Sequence, residues 1–335
     1  MDFFHLTKML GGLSLFLYGM SEMGDGLSTM AGSKMERILE RLTSKRIFAV
    51  LLGLGVTAVI QSSSATTVMV VGFVNSGIMN LSQAVGIIMG ANIGTTVTSW
   101  LLSLTTIDGS TFWLQLLKPA TFAPILAVIG IFQIMIYKQD EKRRNIAKIL
   151  LGFMVLMTGM EMMSGAVSGL ADNAAFANLM VAFRNPVIGV LIGTILTAII
   201  QSSSASIGIL QALCVTGAVP YAVAIPIIMG QNVGTCVTSI ISSIGASRNA
   251  KRAAMIHLYF NLIGTMVFML AFYGLNSFIG FAFLEDAANA GGIAIVHSLF
   301  NIGATTLFYP FADYLVKLAE LTIPERALEK YNKVA

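Results

Sequence analysis

The stretch that decides the fold is TAVIQSSSATT, residues 57–67, in which a glutamine and three consecutive serines stand between apolar flanks. The same pattern returns 140 residues later as TAIIQSSSASI, residues 197–207. Residues 57–104 align with residues 197–244 without a gap, and about 21 of the 48 aligned positions are identical. A repeat of this length indicates a duplicated structural unit, built in each copy around the same polar tetrapeptide.

Composition places both copies in a membrane. The 335 residues are 56% hydrophobic and 11% charged, with a mean hydropathy of +0.82. Because a soluble domain carries about 25% charged residues, water is not the main solvent of this chain. Segments 119–137 and 291–311 are long enough to cross a bilayer, which requires about 20 apolar residues. We therefore expect an all-α polytopic membrane protein, surrounded by lipid and without a nucleic-acid partner.

Each QSSS motif follows an unusually short apolar run. Residues 47–60 and 187–200 are 14 residues each, a length more typical of a re-entrant segment than of a membrane span. Another short apolar run follows the serines in both copies. The spacing predicts two re-entrant helical hairpins, at about 46–75 and about 186–217.

A glycine-interrupted span follows each hairpin, at about 81–104 and about 221–244. The interruptions are GANIGTT (90–96) and GQNVGTC (230–236), and they predict two broken transmembrane helices. The half-helices created in this way need N-terminal caps, for which serine and threonine are suited. The predicted caps are Ser64, Ser204, Thr95 and Thr235.

The crossing count predicts inverted repeats. A first helix, a hairpin with no net crossing, a broken helix and a last helix give three crossings, so the second unit starts on the opposite side. The predicted division is transmembrane repeat 1 at 1–138, inverted transmembrane repeat 2 at 139–275, an additional transmembrane helix at 276–315 and a cytoplasmic tail at 316–335.

The basic residues orient this topology. Most of the 20 Lys and Arg residues lie in four clusters, at 34–46, 138–148, 248–252 and 317–333. All four fall on one face if the N-terminus lies outside, and cytoplasmic loops carry an excess of Lys and Arg. The sequence therefore predicts an extracytoplasmic N-terminus and a cytoplasmic C-terminus.

The polar motifs have the chemistry expected of a site that binds an anion together with a small cation. Non-helical chain at membrane depth must line a cavity or be buried in protein. Helix N-termini favour an anion, whereas helix C-terminal carbonyls with amide and hydroxyl oxygens favour Na⁺. No Lys or Arg in the apolar core balances an anion, and burying an unpaired anion is costly. We therefore expect coupled transport of an anion with a small cation.

For several titratable residues, two interpretations of their role remain open. His257 and His297 each precede an asparagine by four residues, and a hydrogen-bonded structural role and a gating or proton-linked role are both open. Glu22 and Asp25 share a face near the end of the first helix, where acids either serve function or reach interfacial water.

An enzyme is not expected. An intramembrane serine hydrolase would pair a QSSS serine with His257 or His297, but no Gly-x-Ser-x-Gly motif is present and the duplication supplies two equal sites. Cys214 and Cys236 lack metal-ligand spacing, so the sequence predicts neither a transition-metal site nor a cofactor other than transported Na⁺.

With these motifs identified, the chain resembles the type II sodium-dependent phosphate cotransporters, including bacterial members. The resemblance is carried by QSSSATT (61–67), GIIMGANIGTTVTS (86–99), QSSSAS (201–206), PIIMGQNVGTCVTS (226–239) and KRAAMIHLYFN (251–261). It implies sodium-driven uptake of inorganic phosphate by alternating access, in the inner membrane of a bacterium. The printed sequence has no segment resembling the PhoU-like C-terminal domain of many bacterial relatives.

The resemblance also implies the site residues. The residues that match the family's phosphate site are Ser62, Ser63, Ser64, Asn92, Ser202, Ser203, Ser204 and Asn232. The residues that match its sodium sites are Gln61, Thr95, Thr98, Gln201, Thr235 and Thr238. Another oxyanion or a carboxylate, such as sulfate, arsenate or a dicarboxylate, is the alternative cargo. Sodium stoichiometry and assembly as a homodimer stay open.

Overall fold

The computed structural model describes residues 3–41, 45–106, 118–168 and 174–325, and within these ranges it is helical without a β-strand. The α-helices are α1 Phe3–Arg41, α2 Arg46–Ile60, α3 Ser63–Asn75, α4 Leu81–Ser103, α5 Pro119–Ile136, α6 Glu141–Val167, α7 Ala174–Phe183, α8 Pro186–Ile200, α9 Ser203–Cys214, α10 Tyr221–Ser242, α11 Arg248–Ile279, α12 Ala290–Phe308 and α13 Ala312–Thr322. Short 3₁₀ turns occur at Leu104–Thr106, Ala282–Glu285 and Tyr309–Phe311.

The prediction of an all-α polytopic membrane protein is confirmed by the length and hydropathy of these helices. Five segments of the described chain can cross a membrane by these criteria: Leu81–Ser103, Glu141–Val167, Tyr221–Ser242, Arg248–Ile279 and Ala290–Thr322. Large apolar side chains cover their outer surface, including Leu270 at 77% and Phe278 at 90% exposure. Such a surface is suited to hydrocarbon and not to water.

The predicted break in the middle of α4 and α10 is wrong. Both helices run without interruption through the GANIGTT and GQNVGTC segments. The glycines serve close packing instead. A Cβ on Gly90 would overlap the carbonyl oxygen of Val50 in α2, and one on Gly230 would overlap that of Val190 in α8. Small residues allow such backbone approach between membrane helices, so α2 packs on α4 and α8 on α10.

The polar side chains of these segments form hydrogen bonds within the continuous helix. Thr95 and Thr235 do not cap half-helices, because each hydroxyl donates to the carbonyl four residues earlier, over 3.1 and 3.0 Å. Asn92 and Asn232 donate in the same way, over 2.9 and 3.0 Å. A local bond of this kind lets a polar side chain remain inside an apolar helix.

Helices α1 and α6 form a reciprocal antiparallel pair. A Cβ on Gly12 would lie 2.9 Å from the carbonyl oxygen of Gly159, and one on Gly19 would lie 2.6 Å from that of Gly152. The repeat offset relates Gly12 to Gly152 and Gly19 to Gly159, so each contact is the image of the other. Pairs of this form are typical of a two-fold relationship.

Both ends of the first hairpin lie at the same end of the helix bundle. Arg46, at the start of α2, pairs with Asp313 of α13. Asn75, at the end of α3, accepts a hydrogen bond of 2.7 Å from the backbone N–H of Ser247, just before α11. Arg252 in turn donates to the carbonyl of Ile323.

Both ends of the second hairpin lie at the opposite end of the bundle. Arg184, just before α8, pairs with Glu285 over 2.7 Å. After α9, the backbone carbonyl of Val219 accepts from the N–H of Ala288 over 2.8 Å. These partners lie beyond the far end of α11, whose 32 residues span about 48 Å. The two hairpins therefore open towards opposite ends of α11.

Two predicted boundaries differ from the helices. The boundary at residue 275 falls inside α11, which continues through Gly274 and ends at Ile279, where Gly280 adopts the left-handed backbone of a helix C-cap. Residues 316–322 of the predicted tail continue α13, in which Ala319 is fully buried. The rest of the predicted tail, from 326 to 335, lies outside the described residues.

Candidate functional site

Each QSSS motif forms the tip between two short helices. α2 and α3 have 15 and 13 residues, and α8 and α9 have 15 and 12 residues. A helix of 15 residues is about 22 Å long, less than the hydrocarbon core of about 30 Å. None of these four helices is therefore long enough to cross the hydrocarbon core by itself.

The glutamine of each motif makes the turn. Gln61 and Gln201 have positive φ angles of 59°, and they are the two non-glycine residues with positive φ in the described chain. Their backbone N–H groups bond to the carbonyls of Thr57 and Thr197 over 2.7 Å, which closes the preceding helices. Such backbone conformations cost about 1–3 kcal/mol and cluster at binding sites.

The first serine of each motif caps the returning helix. Ser62 and Ser202 accept hydrogen bonds from the N–H groups of Ala65 and Ala205 over 3.1 and 3.2 Å. The turn at the glutamine leaves the next residue extended, with φ of −146° and −143°, as an N-cap requires. The sequence prediction that named Ser64 and Ser204 as caps is therefore wrong.

The two tips line one cavity of about 330 Å³. Residues 61–64 form one part of its wall and residues 201–204 another. The tips also touch, since the Ser64 hydroxyl donates to the backbone carbonyl of Gln201 over 3.3 Å. Two motifs separated by 140 residues thus share a single space.

The two helix N-termini at this cavity favour an anion. α3 and α9 both begin at its wall, and the first four N–H groups of a helix have no partner within the helix. Each N-terminus carries about half a positive elementary charge from the helix dipole. No Lys or Arg is among the described residues that line the cavity, so these N–H groups and the serine hydroxyls supply its positive potential.

The predicted site residues outside the two motifs are not among the described residues that line this cavity. Gln61 is buried, and its Oε1 accepts a hydrogen bond of 2.9 Å from Thr98 of α4, which is one side chain removed from the cavity. The other predicted residues outside the motifs are Asn92, Thr95, Asn232, Thr235 and Thr238.

Helix α1 supplies a third wall that the motifs did not reveal. Ser21, Asp25 and Ser28 line the cavity together with Gly24, whose missing Cβ would lie 3.1 Å from the carbonyl oxygen of Ile60. The signal in the sequence was the spacing of these polar residues, which places them on one helix face. Only Asp25 was singled out from the sequence, with two open interpretations.

The two histidines join helices away from the cavity. His257 of α11 lies 3.0 Å from the hydroxyl of Ser239 in α10, and His297 of α12 lies 2.6 Å from that of Ser99 in α4. Both rings are buried, and neither lines the cavity. The structure therefore does not bring a histidine to a QSSS serine, as a hydrolase would require.

No group of three or more His, Cys, Asp or Glu side chains gathers in the described chain to hold a metal ion. Cys214 and Cys236 are both free and buried.

Comparison with known proteins identifies relatives over most of the chain. The model of the Na⁺/Pi-cotransporter family matches residues 15–165 and 155–289. The protein YqeW of Bacillus subtilis (strain 168), whose function is uncharacterized, is 30% identical over 312 residues, which cover 93% of this chain and 96% of YqeW. No solved structure matches the chain.

Two further relatives carry functional names. The "Putative inorganic phosphate export protein YjbB" of Escherichia coli (strain K12) is 25% identical over 319 residues, covering 95% of this chain. The chain spans 56% of the length of YjbB. Sodium-dependent phosphate transport protein 2A of Rattus norvegicus is 32% identical over 137 residues, or 36% of this chain and 20% of the rat protein.

The family match extends through α1, both hairpins and α4 to α11, and therefore includes every wall of the cavity. This membrane protein belongs to the Na⁺/Pi-cotransporter family.

Proposed function

We propose that the protein is a secondary active transporter that couples Na⁺ influx to the uptake of inorganic phosphate by alternating access. The observation that carries the proposal is the meeting of two QSSS tips at one cavity, with two helix N-termini at its wall. The name of the rat relative, a sodium-dependent phosphate transport protein, supports both ions.

Phosphate would bind between the tips. The six serines of residues 62–64 and 202–204 offer hydroxyl groups, and the first turns of α3 and α9 offer backbone N–H groups. Phosphate accepts hydrogen bonds on all its oxygens, and helix N-termini are ready-made sites for it. Asn92 and Asn232 donate within their own helices in this conformation, so a contact with phosphate would require those helices to move.

Sodium would bind where α2 and α8 end. Gln61 and Gln201 provide amide oxygens there, and the last carbonyls of a helix carry partial negative charge. Thr98 would act through Gln61, to which it is hydrogen bonded. Thr95, Thr235 and Thr238 would reach an ion only after a rearrangement of α4 or α10. A cation at this place offsets the charge of the buried anion, which explains why uptake would need both ions.

Alternating access would use two inverted repeats. Support comes from the reciprocal antiparallel contact of α1 with α6 and from hairpins that open towards opposite ends of α11. With Lys and Arg clusters facing the cytoplasm, hairpin 1 would enter from the cytoplasm and hairpin 2 from outside. The N-terminus would then lie outside and the C-terminus inside a bacterial inner membrane.

Phosphate export is the second candidate function. It is favoured by the name of YjbB, which aligns with 95% of this chain. The same cavity would serve either direction, because the direction depends on how ion binding is coupled to the conformational change.

Transport into proteoliposomes tests these proposals. We expect phosphate to accumulate under an inward Na⁺ gradient, not under an equal K⁺ gradient, and not to be displaced by sulfate. Equal uptake with K⁺ would contradict sodium coupling, and displacement by sulfate would favour the alternative cargo. Vesicles that lose preloaded phosphate against its gradient would support export instead.

A matched pair of serines tests the site itself. Ser63 is buried at the cavity wall, whereas Ser76 lies at the other end of the same hairpin helix and is exposed. We expect Ser63→Ala to lower the apparent phosphate affinity at least tenfold and Ser76→Ala to leave it unchanged. Equal phosphate affinities in the two variants would contradict binding at the tips.

A further inference from the structure

The cavity wall contains one unpaired carboxylate. Asp25 is the single Asp or Glu among the described residues that line the cavity, and it has no ion pair there. Its neighbours in the wall are serine hydroxyls, glutamine amides and apolar groups. A carboxylate beside a bound phosphate would repel it by Coulomb interaction unless a cation lay between them.

The position of Asp25 along α1 favours a cation as its ligand. The adjacent residue, Gly24, packs against the carbonyl oxygen of Ile60, the last residue of α2. Asp25 and Ile60 also line the same cavity, so the carboxylate shares this space with the helix end that carries negative partial charge, whereas α3 presents its positive end after the turn. Ser21 and Ser28, one turn to either side, line the same cavity.

This set of oxygens is typical of a hard cation. Carboxylate, backbone carbonyl and hydroxyl oxygens are ligands that such ions prefer, and broken helical segments in transporters use their carbonyl ends in this way. The tip thus has a negative side at α1 and the end of α2, and a positive side at the starts of α3 and α9.

We propose that Asp25 is the carboxylate ligand of the co-transported Na⁺, holding the ion between the end of α2 and phosphate at the starts of α3 and α9. The proposal rests on the proposed function for the identity of the two ions. The repeat offset puts Gly165 at the corresponding position of α6, so the pair of tips contains one such site and not two. Sodium bound there would precede phosphate, because it removes the repulsion.

Three variants test the proposal in the full chain. Asp25→Asn removes the charge and keeps the shape, and Asp25→Glu keeps the charge. Glu22→Gln is the matched control, because Glu22 is a carboxylate on the same helix, one turn away, that does not line the cavity. The first measurement is the midpoint temperature of heat unfolding of the purified protein at a series of NaCl concentrations. Choline chloride at the same concentrations is the reference salt, and each series is run with and without phosphate.

We expect Asp25→Asn to raise the NaCl concentration for half-maximal stabilisation at least tenfold. Phosphate should still stabilise this variant at saturating Na⁺. Glu22→Gln should match the wild type, and Asp25→Glu should fall between the two. Wild-type sodium dependence in Asp25→Asn would overturn the proposal. The proposal would also be overturned if Asp25→Asn lost only a pH dependence of the stability, since that result would make Asp25 a proton-binding group.

Direct binding separates this proposal from the proposed function. Equilibrium dialysis with ²²Na⁺ in the absence of phosphate measures the cation site alone, and we expect Asp25→Asn to lose the binding that the wild type shows. If phosphate never stabilises the wild type but ²²Na⁺ binding depends on Asp25, phosphate transport fails and the cation site stands. If Asp25→Asn does not fold, Asp25→Glu and Asp25→Ser replace it. Measurable ²²Na⁺ binding in Asp25→Glu together with no binding in Asp25→Ser supports the site, and equal affinities in both overturn it.

Discussion

The hydroxyl of Thr98 donates a hydrogen bond of 2.9 Å to Oε1 of Gln61, and this bond ties the tip of the first hairpin to α4. The corresponding pair in the second repeat is not formed. The buried hydroxyl of Thr238 has no hydrogen-bond partner in the described chain, and Gln201 is exposed. Two equivalent sequences therefore hold their tips with different hydrogen bonds, a difference that the proposed alternating access would require.

The first prediction concerns the stability of these two threonines. Thr98→Ala leaves the buried amide oxygen of Gln61 without its donor, which costs about 1–3 kcal/mol of unfolding free energy. Thr238→Ala removes a hydroxyl that is already unpaired, so we expect it to be neutral or stabilising. Denaturant unfolding in detergent measures both variants. Equal losses would show that the two tips are held alike.

The second prediction concerns sodium. Gln61→Ala and Gln201→Ala should each raise the Na⁺ concentration for half-maximal uptake, because each removes an amide oxygen from the tip. Gln133→Ala is the control, since this glutamine of α5 does not line the cavity. Sodium titration of phosphate uptake gives the affinities. If both tip variants keep the wild-type value, the sodium site lies elsewhere.

The third prediction concerns the glycines of the helix pairs. Gly90→Ala forces a Cβ into the backbone of α2, and overpacking of this kind costs about 1–3 kcal/mol or more. Gly55→Ala meets nothing within 4 Å and lies inside a helix, where alanine is favoured over glycine by about 1 kcal/mol. We expect the first variant to unfold at lower temperature and the second to be as stable as the wild type or more so. The reverse order would contradict the packing of α2 on α4.

The fourth prediction separates the two interpretations of the histidines. His297→Leu leaves the buried hydroxyl of Ser99 unpaired and should cost about 1–3 kcal/mol. Adding Ser99→Ala should recover part of this loss, because neither group is then left unpaired. Denaturant unfolding measures the stability, and sodium titration of uptake across pH measures function. A structural role leaves the sodium affinity and the pH profile unchanged, whereas a shifted pH profile would assign a gating or proton-linked role.

Local properties of the chain were predicted well. Hydropathy and segment length indicate membrane helices because the transfer of a segment into lipid depends on its own residues. The repeat pointed to both QSSS motifs for the same reason, since identity between two segments is visible without knowing where either lies. The register of the caps was missed by two residues, because the left-handed backbone of Gln61 and Gln201 is rare for a residue other than glycine.

The glycine-rich segments show where prediction failed. Glycine permits both an unwound helix and a close helix contact, and the choice at Gly90 depends on the backbone of Val50, forty residues earlier in the chain. The prediction of a broken helix made Thr95 the cap of a half-helix, whereas in the continuous helix Asn92 and Thr95 each donate to the carbonyl four residues earlier.

The sequence by itself determined that the protein is helical, that it lies in a membrane and that it carries one polar motif twice, because these properties belong to segments. Only the tertiary structure decided that the two motifs meet at one cavity, that α4 and α10 are unbroken and that Asp25 completes the wall. The physical reason is that each of these facts depends on the distance between segments far apart in the chain, which packing sets and no local pattern encodes.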